Sequence, residues 1–307
     1  MTDWSEKDLL ILAFDHRASF IEKLFGIKGR LPTIEEKENI REAKQIIFEG
    51  FKLALQEKVP KEIAGLLVDE EFGSDILREA QKQGFQFAMP AEKSGQDEFD
   101  FEYDTQFSKH IQEFEPTFLK VLVRYNPESE TTLNERQLQR LKELSDYLLE
   151  NQRPFLFELI VPATPTQLAK LDGSKEKYDT QLRPQLMVES MKQIQNHGIE
   201  PTIWKLEGVE KPEAAKKVVA QAQSNNRKAG VITLGRGESK EKVQEWLKVG
   251  ATIPGIIGFA VGRTIFWEPL VEYRNKTLNR KQTAEKIAQT YIEFVELWQT
   301  QKKSEHP

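Results

Sequence analysis

The stretch "IWKLEG", residues 203–208, sets a lysine among apolar residues where a short strand runs into a turn. An ammonium buried without a partner costs several kcal/mol or gives up its charge. Two readings follow: Lys205 pairs with Glu207 at the rim of the fold, or the position carries chemistry. As a strand, the stretch puts Lys205 and Glu207 on one face, because strand side chains alternate sides.

Outward from this stretch, short β-rich runs alternate with longer helical patterns along the whole chain. The expected strands are Leu9 to Phe14, Gly65 to Asp69, Phe85 to Met89, Phe118 to Arg124, Phe155 to Ile160, Ile203 to Leu206, Gly230 to Leu234 and Gly255 to Phe259. Between them, Thr33 to Glu57, Asn134 to Asn151, Leu182 to His197 and Lys211 to Asn225 repeat apolar residues at three- and four-residue steps, the helical period. Gly84, Pro154, Gly198 and Gly230 punctuate the boundaries. Eight strands alternating with helices is the arithmetic of an α/β fold closed into a single (β/α)8 TIM barrel, although a doubly wound sheet shares much of this rhythm. No Pro/Gly/Ser linker divides the chain, so residues 1–299 are read as one barrel and 300–307 as a frayed polar tail. Two irregular stretches, Glu92 to Tyr103 and Thr164 to Gln181, follow expected strands, where barrel enzymes carry functional loops.

Composition narrows the function classes. The 307 residues carry 44 basic against 49 acidic side chains, a net charge of −5, which leaves no electrostatic footprint for nucleic acid. Zero cysteines exclude disulfides, thiolate metal sites and cysteine nucleophiles. Met1 to Asp8 is polar and acidic, and no run approaches the length of a membrane span, so the expected location is cytoplasmic. The expected partner is a small phosphorylated molecule, with neither nucleic acid nor membrane, and assembly of like chains is compatible with the sequence.

Barrel strands are buried on both faces, so each ionisable residue within one demands a reason. In "FLKVLVRY" Lys120, Leu122 and Arg124 share a face, and in "FLFELI" Leu156, Glu158 and Ile160 do the same. Strands four, five and six are neighbours in a barrel, which converges Lys120, Glu158 and Lys205 near the axis. A desolvated lysine beside a second cation and a carboxylate suits Schiff-base chemistry: burial and a nearby ammonium favour the neutral amine, and a carboxylate between two amines trades protons. A purely structural Lys-Glu-Lys network needs the same residues.

Other strand ends are polar too. "AFDHR" supplies Asp15, His16 and Arg17, and "LLVDEEFG" supplies Asp69, Glu70 and Glu71, carboxylates that suit a divalent-metal enzyme as the rival chemistry. Of four histidines only His16 stands at a strand end, which argues against a His-rich zinc site. His110, His197 and His306 read as surface residues. Strands seven and eight finish in "ITLGRGES" and "IIGFAVGRT", placing Gly235, Arg236, Gly262 and Arg263 where barrels form phosphate cups from glycine N–H groups and arginine forks.

The motifs "LAFDHRASF", "LLVDEEFG", "FLKVLVRYNP", "IWKLEG" and "IGFAVGRTIF" resemble the domain fused behind the sugar kinase in some bacterial inositol-catabolism proteins, regarded as 2-deoxy-5-keto-gluconate 6-phosphate aldolase. More distantly they are similar to tagatose 1,6-bisphosphate aldolase and the sulfofructose-phosphate aldolases. The resemblance spans Leu9 to Trp298, without the kinase. It implies a class I aldolase with Lys205 as the Schiff-base residue, flanked by Lys120 and Glu158, and with no metal or other cofactor. Glu158, or Asp15 through a water, is the expected base. The substrate-binding set is Asp69, the two Gly-Arg pairs, and Arg17 or Arg124 for a carboxylate on the side away from the phosphate loops. A metal-dependent sugar-phosphate lyase or isomerase, or a phosphosugar-binding barrel without turnover, are the alternatives.

Overall fold

The computed structural model describes residues 3–305 and is a closed barrel of eight parallel strands in sequence order. The strands are β1 (Leu9–Ala13), β2 (Ala64–Leu67), β3 (Gln86–Pro90), β4 (Phe118–Arg124), β5 (Phe155–Ile160), β6 (Ile203–Glu207), β7 (Gly230–Leu234) and β8 (Ile256–Val261). Closure comes from β1 pairing with β8, Leu9 opposite Gly258 and Leu12 opposite Val261. The expected bounds of the fourth, fifth and seventh strands match, and the others shift by one or two residues at an end. The doubly wound alternative is thereby excluded, since that sheet stays open.

The period-two alternation of each strand sorts its side chains into two cores. Outward residues such as Leu119, Val121, Phe157 and Trp204 pack under the helices, while Leu9, Ile11, Phe118, Leu156, Ile203 and Ile232 fill the barrel interior. Trp4 closes the N-terminal end of the barrel, its ring edge-on to Phe118 at 4.7 Å. Each such side chain fully buried contributes about 1.5–3 kcal/mol. Because this apolar plug fills the lower layers, the next inward positions, Lys120 above Phe118, Glu158 above Leu156 and Lys205 above Ile203, form the floor of the open end.

The long helix Ile34–Glu57 begins with a capping box, in which the Thr33 hydroxyl accepts from Glu36 N–H and the Glu36 carboxylate accepts from Thr33 N–H. Its Lys44 is buried and reaches back to the strand ends, donating to Phe14 C=O at 2.9 Å and pairing with Asp69. Two expectations are corrected here. The stretch from Thr164 to Gln181 is largely helical, with turns at Pro165–Ala169 and Lys175–Lys177 leading into a π-helix at Tyr178–Leu182. The tail is not frayed through Glu305: the last helix, Arg280–Glu305, continues across it. There Lys302 pairs with Asp8 at 2.6 Å, and lysines in a final helical turn complement its dipole. His306 lies outside the described residues. No helix among the described residues is long and apolar enough to cross a membrane.

Candidate active site

At the C-terminal ends of the strands lies a cavity of about 360 Å³, large enough for a phosphorylated sugar. Its floor is an ion cluster set by strand register. Glu158 on β5 stands directly opposite Lys205 on β6, and Lys205 Nζ lies 2.8 Å from Glu158 Oε2. From β4, Lys120 Nζ approaches the same oxygen at 3.1 Å. It also contacts Asp15 Oδ2 at 2.8 Å, just past β1, and Glu92 Oε1 at 2.5 Å, just past β3. Lys205 is therefore not the rim partner of Glu207. That carboxylate, raised by burial against the pull of Arg183 and Arg236, accepts from Val161 N–H and stands 3.1 Å from Arg236 Nε.

Four of the five charged groups of the cluster are buried and Asp15 is nearly so, and the cluster sorts their protons. Burial works against the Asp15 carboxylate, but Lys120 and Lys205 outweigh it and hold Asp15 well below the usual carboxylate range. Glu158 is lowered in the same way, by Lys205 and Lys120 against burial. Burial alone would strip Lys120 of its proton; Asp15, Glu92 and Glu158 overcome it and raise Lys120, so it remains a fixed ammonium. Glu92 is the exception. Burial raises it further than Lys120 and Arg17 lower it, and its Oε2 is buried with no hydrogen-bond partner among the described residues.

Glu92 is the site residue that sequence reasoning missed. The inward positions Ala88 and Pro90 of β3 are followed two residues on by Glu92, so the alternation continues beyond the strand. The signal was present in "AMPAEK", but the expected strand stopped at Met89. A bridge between Glu92 and Phe101 fixes the loop, and Glu102 N–H donates to Ala91 C=O.

His16 is half-buried, and its Nδ1 is buried without a hydrogen-bond partner among the described residues. Burial, with Arg263, Lys205 and Lys44 adding to it, pushes its pKa down to about 3 against the pull of Asp15. It faces the cavity as neutral imidazole.

Two expectations about substrate groups change. Asp69 does not line the cavity: it is fully buried, pairs with Lys44, and caps the helix Glu70–Gln83 by accepting from Phe72 N–H at 2.9 Å. Its neighbours are also engaged elsewhere, Glu70 with His110 at 2.8 Å and Glu71 with Lys37 at 3.6 Å. His110 is thus half-buried and stacked on Tyr103 rather than free on the surface. Arg17 is not remote from the phosphate loops, because β1 adjoins β8. Two of its nitrogens are committed, one to Glu102 Oε2 at 2.6 Å and one to Glu92 C=O at 2.5 Å. Arg124, which donates to Gln96 C=O at 2.6 Å and faces the cavity from β4, makes no carboxylate pair among the described residues. Among the described residues no group of three or more His, Cys, Asp or Glu is arranged to hold a metal ion.

The Gly-Arg pairs both reach the cavity but differ in state. Arg236 (φ +53°) and Gly237 (φ +79°) are both left-handed, which turns the loop after β7 over the guanidinium of Arg263. A Cβ on Gly262 would fall 2.0 Å from Ala13 C=O, so only glycine fits there, while one on Gly237 would fall 2.4 Å from the Arg263 guanidinium and displace it. Arg236 is held by Asp179 at 2.9 Å and by Glu207. Arg263 donates to Arg236 C=O at 2.9 Å and has no carboxylate pair among the described residues. An anion entering here meets Arg263 and the N-terminus of the helix Arg263–Arg274.

Solved structures share this fold along nearly the whole chain. A fructose-bisphosphate aldolase from Plasmodium falciparum, crystallised with TRAP and a small-molecule inhibitor, matches with a TM-score of 0.62 at 15% identity, over 96% of this chain and 92% of its own. A Schiff-base-forming fructose-1,6-bisphosphate aldolase gives 0.54 at 12%, over 94% of each chain. An archaeal fructose-1,6-bisphosphate aldolase, with its catalytic lysine covalently bound to the carbinolamine intermediate of the substrate, gives 0.57 at 10%, over 94% and 93%. At these identities the likeness is one of fold. No curated protein matches the sequence. One family model does, over residues 2–302, and the chain belongs to that family, described as uncharacterized protein conserved in bacteria (DUF2090).

Proposed function

We propose that this barrel is a class I aldolase acting on a phosphorylated keto sugar acid, with Lys205 as the imine-forming amine. The observation that carries the reading is the floor of the cavity, where Lys205 Nζ sits 2.8 Å from Glu158 while Lys120 is locked between three carboxylates. Lys120, raised and triply paired, is a poor nucleophile; Lys205 has one carboxylate partner and opens towards the cavity. The fold likeness to Schiff-base aldolases supports class I chemistry.

For 2-deoxy-5-keto-gluconate 6-phosphate the steps balance as follows. Lys205 adds to the C5 ketone and loses water to give an iminium. A carboxylate removes the proton of the C3 hydroxyl, the C3–C4 bond breaks, and its electron pair flows into the iminium as an enamine. Malonate semialdehyde leaves. Protonation of the enamine carbon and hydrolysis then release dihydroxyacetone phosphate and the free amine. Asp15, held ionised by Lys120, is ready to act as that base, directly or through a water.

Arg263 and the two glycine turns form the phosphate end of the site, and Arg124, across the barrel, is the reader of the carboxylate. Losing a charge-assisted hydrogen bond costs about 1.5–3 kcal/mol. Arg263→Ala is therefore expected to weaken a phosphorylated ligand roughly tenfold or more while leaving its unphosphorylated analogue nearly unchanged, as titration calorimetry with the two would record. Equal losses for both ligands would make Arg263 a brace for the Gly237 turn.

The substrate itself is tested by comparing retro-aldol rates on 2-deoxy-5-keto-gluconate 6-phosphate, tagatose 1,6-bisphosphate and fructose 1-phosphate, with dihydroxyacetone phosphate release as the common readout. The acid is expected to be preferred, and turnover is expected to survive EDTA. A preference for the neutral or bisphosphorylated sugar removes the carboxylate from the proposal. Loss of turnover with EDTA removes class I chemistry.

A further inference from the structure

A lysine must shed a proton before it attacks a carbonyl, and a site sealed by an apolar plug offers few places to put it. Four atoms form a continuous path from the amine: Lys205 Nζ to Glu158 Oε2 at 2.8 Å, on to Lys120 Nζ at 3.1 Å, and on to Glu92 Oε1 at 2.5 Å. We infer that Glu92 is the terminal proton acceptor of this path, taking up the proton Lys205 loses and returning it when the carbinolamine gives up water. The inference rests on Lys205 being the imine-forming amine.

The transfers balance within the cluster. Lys205 passes a proton to Glu158, Lys120 passes one to Glu92, and Glu158 restores the one Lys120 gave. The net result is a neutral Lys205 and a carboxylic acid at Glu92, with Glu158 and Lys120 unchanged. Run backwards, the same path delivers the proton to the carbinolamine hydroxyl, which leaves as water.

Glu92 suits this role better than the other carboxylates that touch Lys120. Its Oε2 is buried and unpartnered, whereas Asp15 and Glu158 are each held ionised by both lysines. The groups facing Glu92 are Lys120 from β4, Asp15 and Arg17 from beyond β1, and, through Arg17, Glu102 of its own loop. Arg17 binds the backbone carbonyl of Glu92 rather than its carboxylate, so it fixes the residue's position without occupying the oxygen that must take the proton. The commitment of Arg17 to this loop thereby acquires a purpose.

The test uses the intact chain and dihydroxyacetone phosphate as the ketone probe. Protein and probe are mixed between about pH 5.5 and 9, quenched with borohydride after set intervals, and the adduct on the Lys205 peptide is followed by mass. Imine formation by the native chain is expected to vary little across neutrality. Glu92→Gln keeps an acceptor for Lys120 but no titratable carboxyl, so its rate near pH 7 is expected to fall by about 10²–10⁴-fold, the usual worth of a positioned acid–base group. Its rate should then climb roughly tenfold per pH unit as hydroxide replaces Glu92. Glu92→Asp, which retains a carboxyl, is expected to recover the native pH profile. An unchanged rate, or a fall by one factor at every pH that Glu92→Asp shares, overturns the relay and leaves Glu92 a positioning residue for Lys120. Absence of any Lys205 adduct in the native chain is a different failure, because it removes the imine reading before Glu92 is reached.

Discussion

Lys205→Met is expected to abolish turnover while the barrel stays folded. Methionine matches the length of the lysine stem and brings no charge, so the floor loses its amine with little change in volume. Glu158 is not stranded, because Lys120 remains 3.1 Å from the same oxygen. The uncompensated buried charge that makes such replacements costly is therefore avoided. Removing the group that forms the covalent intermediate typically lowers turnover by roughly 10⁴–10⁶-fold. Steady-state release of dihydroxyacetone phosphate, set beside a circular dichroism melt, separates lost chemistry from lost fold. A variant that keeps a tenth of native turnover would take Lys205 out of the covalent role.

Lys120→Met is expected to interrupt the proton path and, unlike Lys205→Met, to cost stability as well. The native ammonium holds Asp15, Glu92 and Glu158 together; without it Asp15 loses the one ammonium it contacts among the described residues, and the nearby imidazole is neutral at physiological pH. Breaking a buried pair by removing one partner costs about 3–5 kcal/mol. The pH dependence follows from the directions of the native shifts. Asp15 and Glu158 are lowered in the folded chain, so they contribute stability that is present above their unfolded values, near 4, and lost as pH falls through the folded values. Lys120 is raised, so its contribution is complete at neutrality and lost only at strongly alkaline pH. The deficit of the variant is therefore expected to be full at neutral pH and to narrow as pH falls below about 4. Urea midpoints at a series of pH values measure it. A deficit independent of pH would mean that Lys120 contributes packing and not charge.

The two lysines show why this site was partly legible in the sequence. A barrel strand covered on both faces should be apolar throughout, so Lys120, Glu158 and Lys205 stood out as exceptions at matching parity on consecutive strands. The structure brings them within 3.1 Å because register, set by the same alternation, puts Glu158 level with Lys205. What one strand could not reveal was partner choice: Glu207 shares a face with Lys205, yet the neighbouring strand offers the nearer carboxylate.

Residues beyond the strands were less legible for the same physical reason. Asp69 sits at a strand end like Asp15, but a helix begins at once, and its carboxylate is taken by the Phe72 N–H and by Lys44 from a helix 25 residues earlier. Arg17 and Glu92 meet through a loop whose path no periodicity encodes. The two distant "GR" pairs do meet at the cavity, because glycine fixes where the backbone turns. The sequence did not show that Asp179 and Glu207 would hold Arg236 and leave Arg263 without a carboxylate.

The central claim is that Lys205 carries the substrate as a covalent imine. Borohydride reduction of the native chain in the presence of dihydroxyacetone phosphate, followed by peptide mass analysis, tests it most directly. Irreversible loss of activity and one ketone-derived adduct, on the peptide containing Lys205, are expected. An adduct on Lys120 alone, or full turnover with no adduct on any lysine, would contradict it.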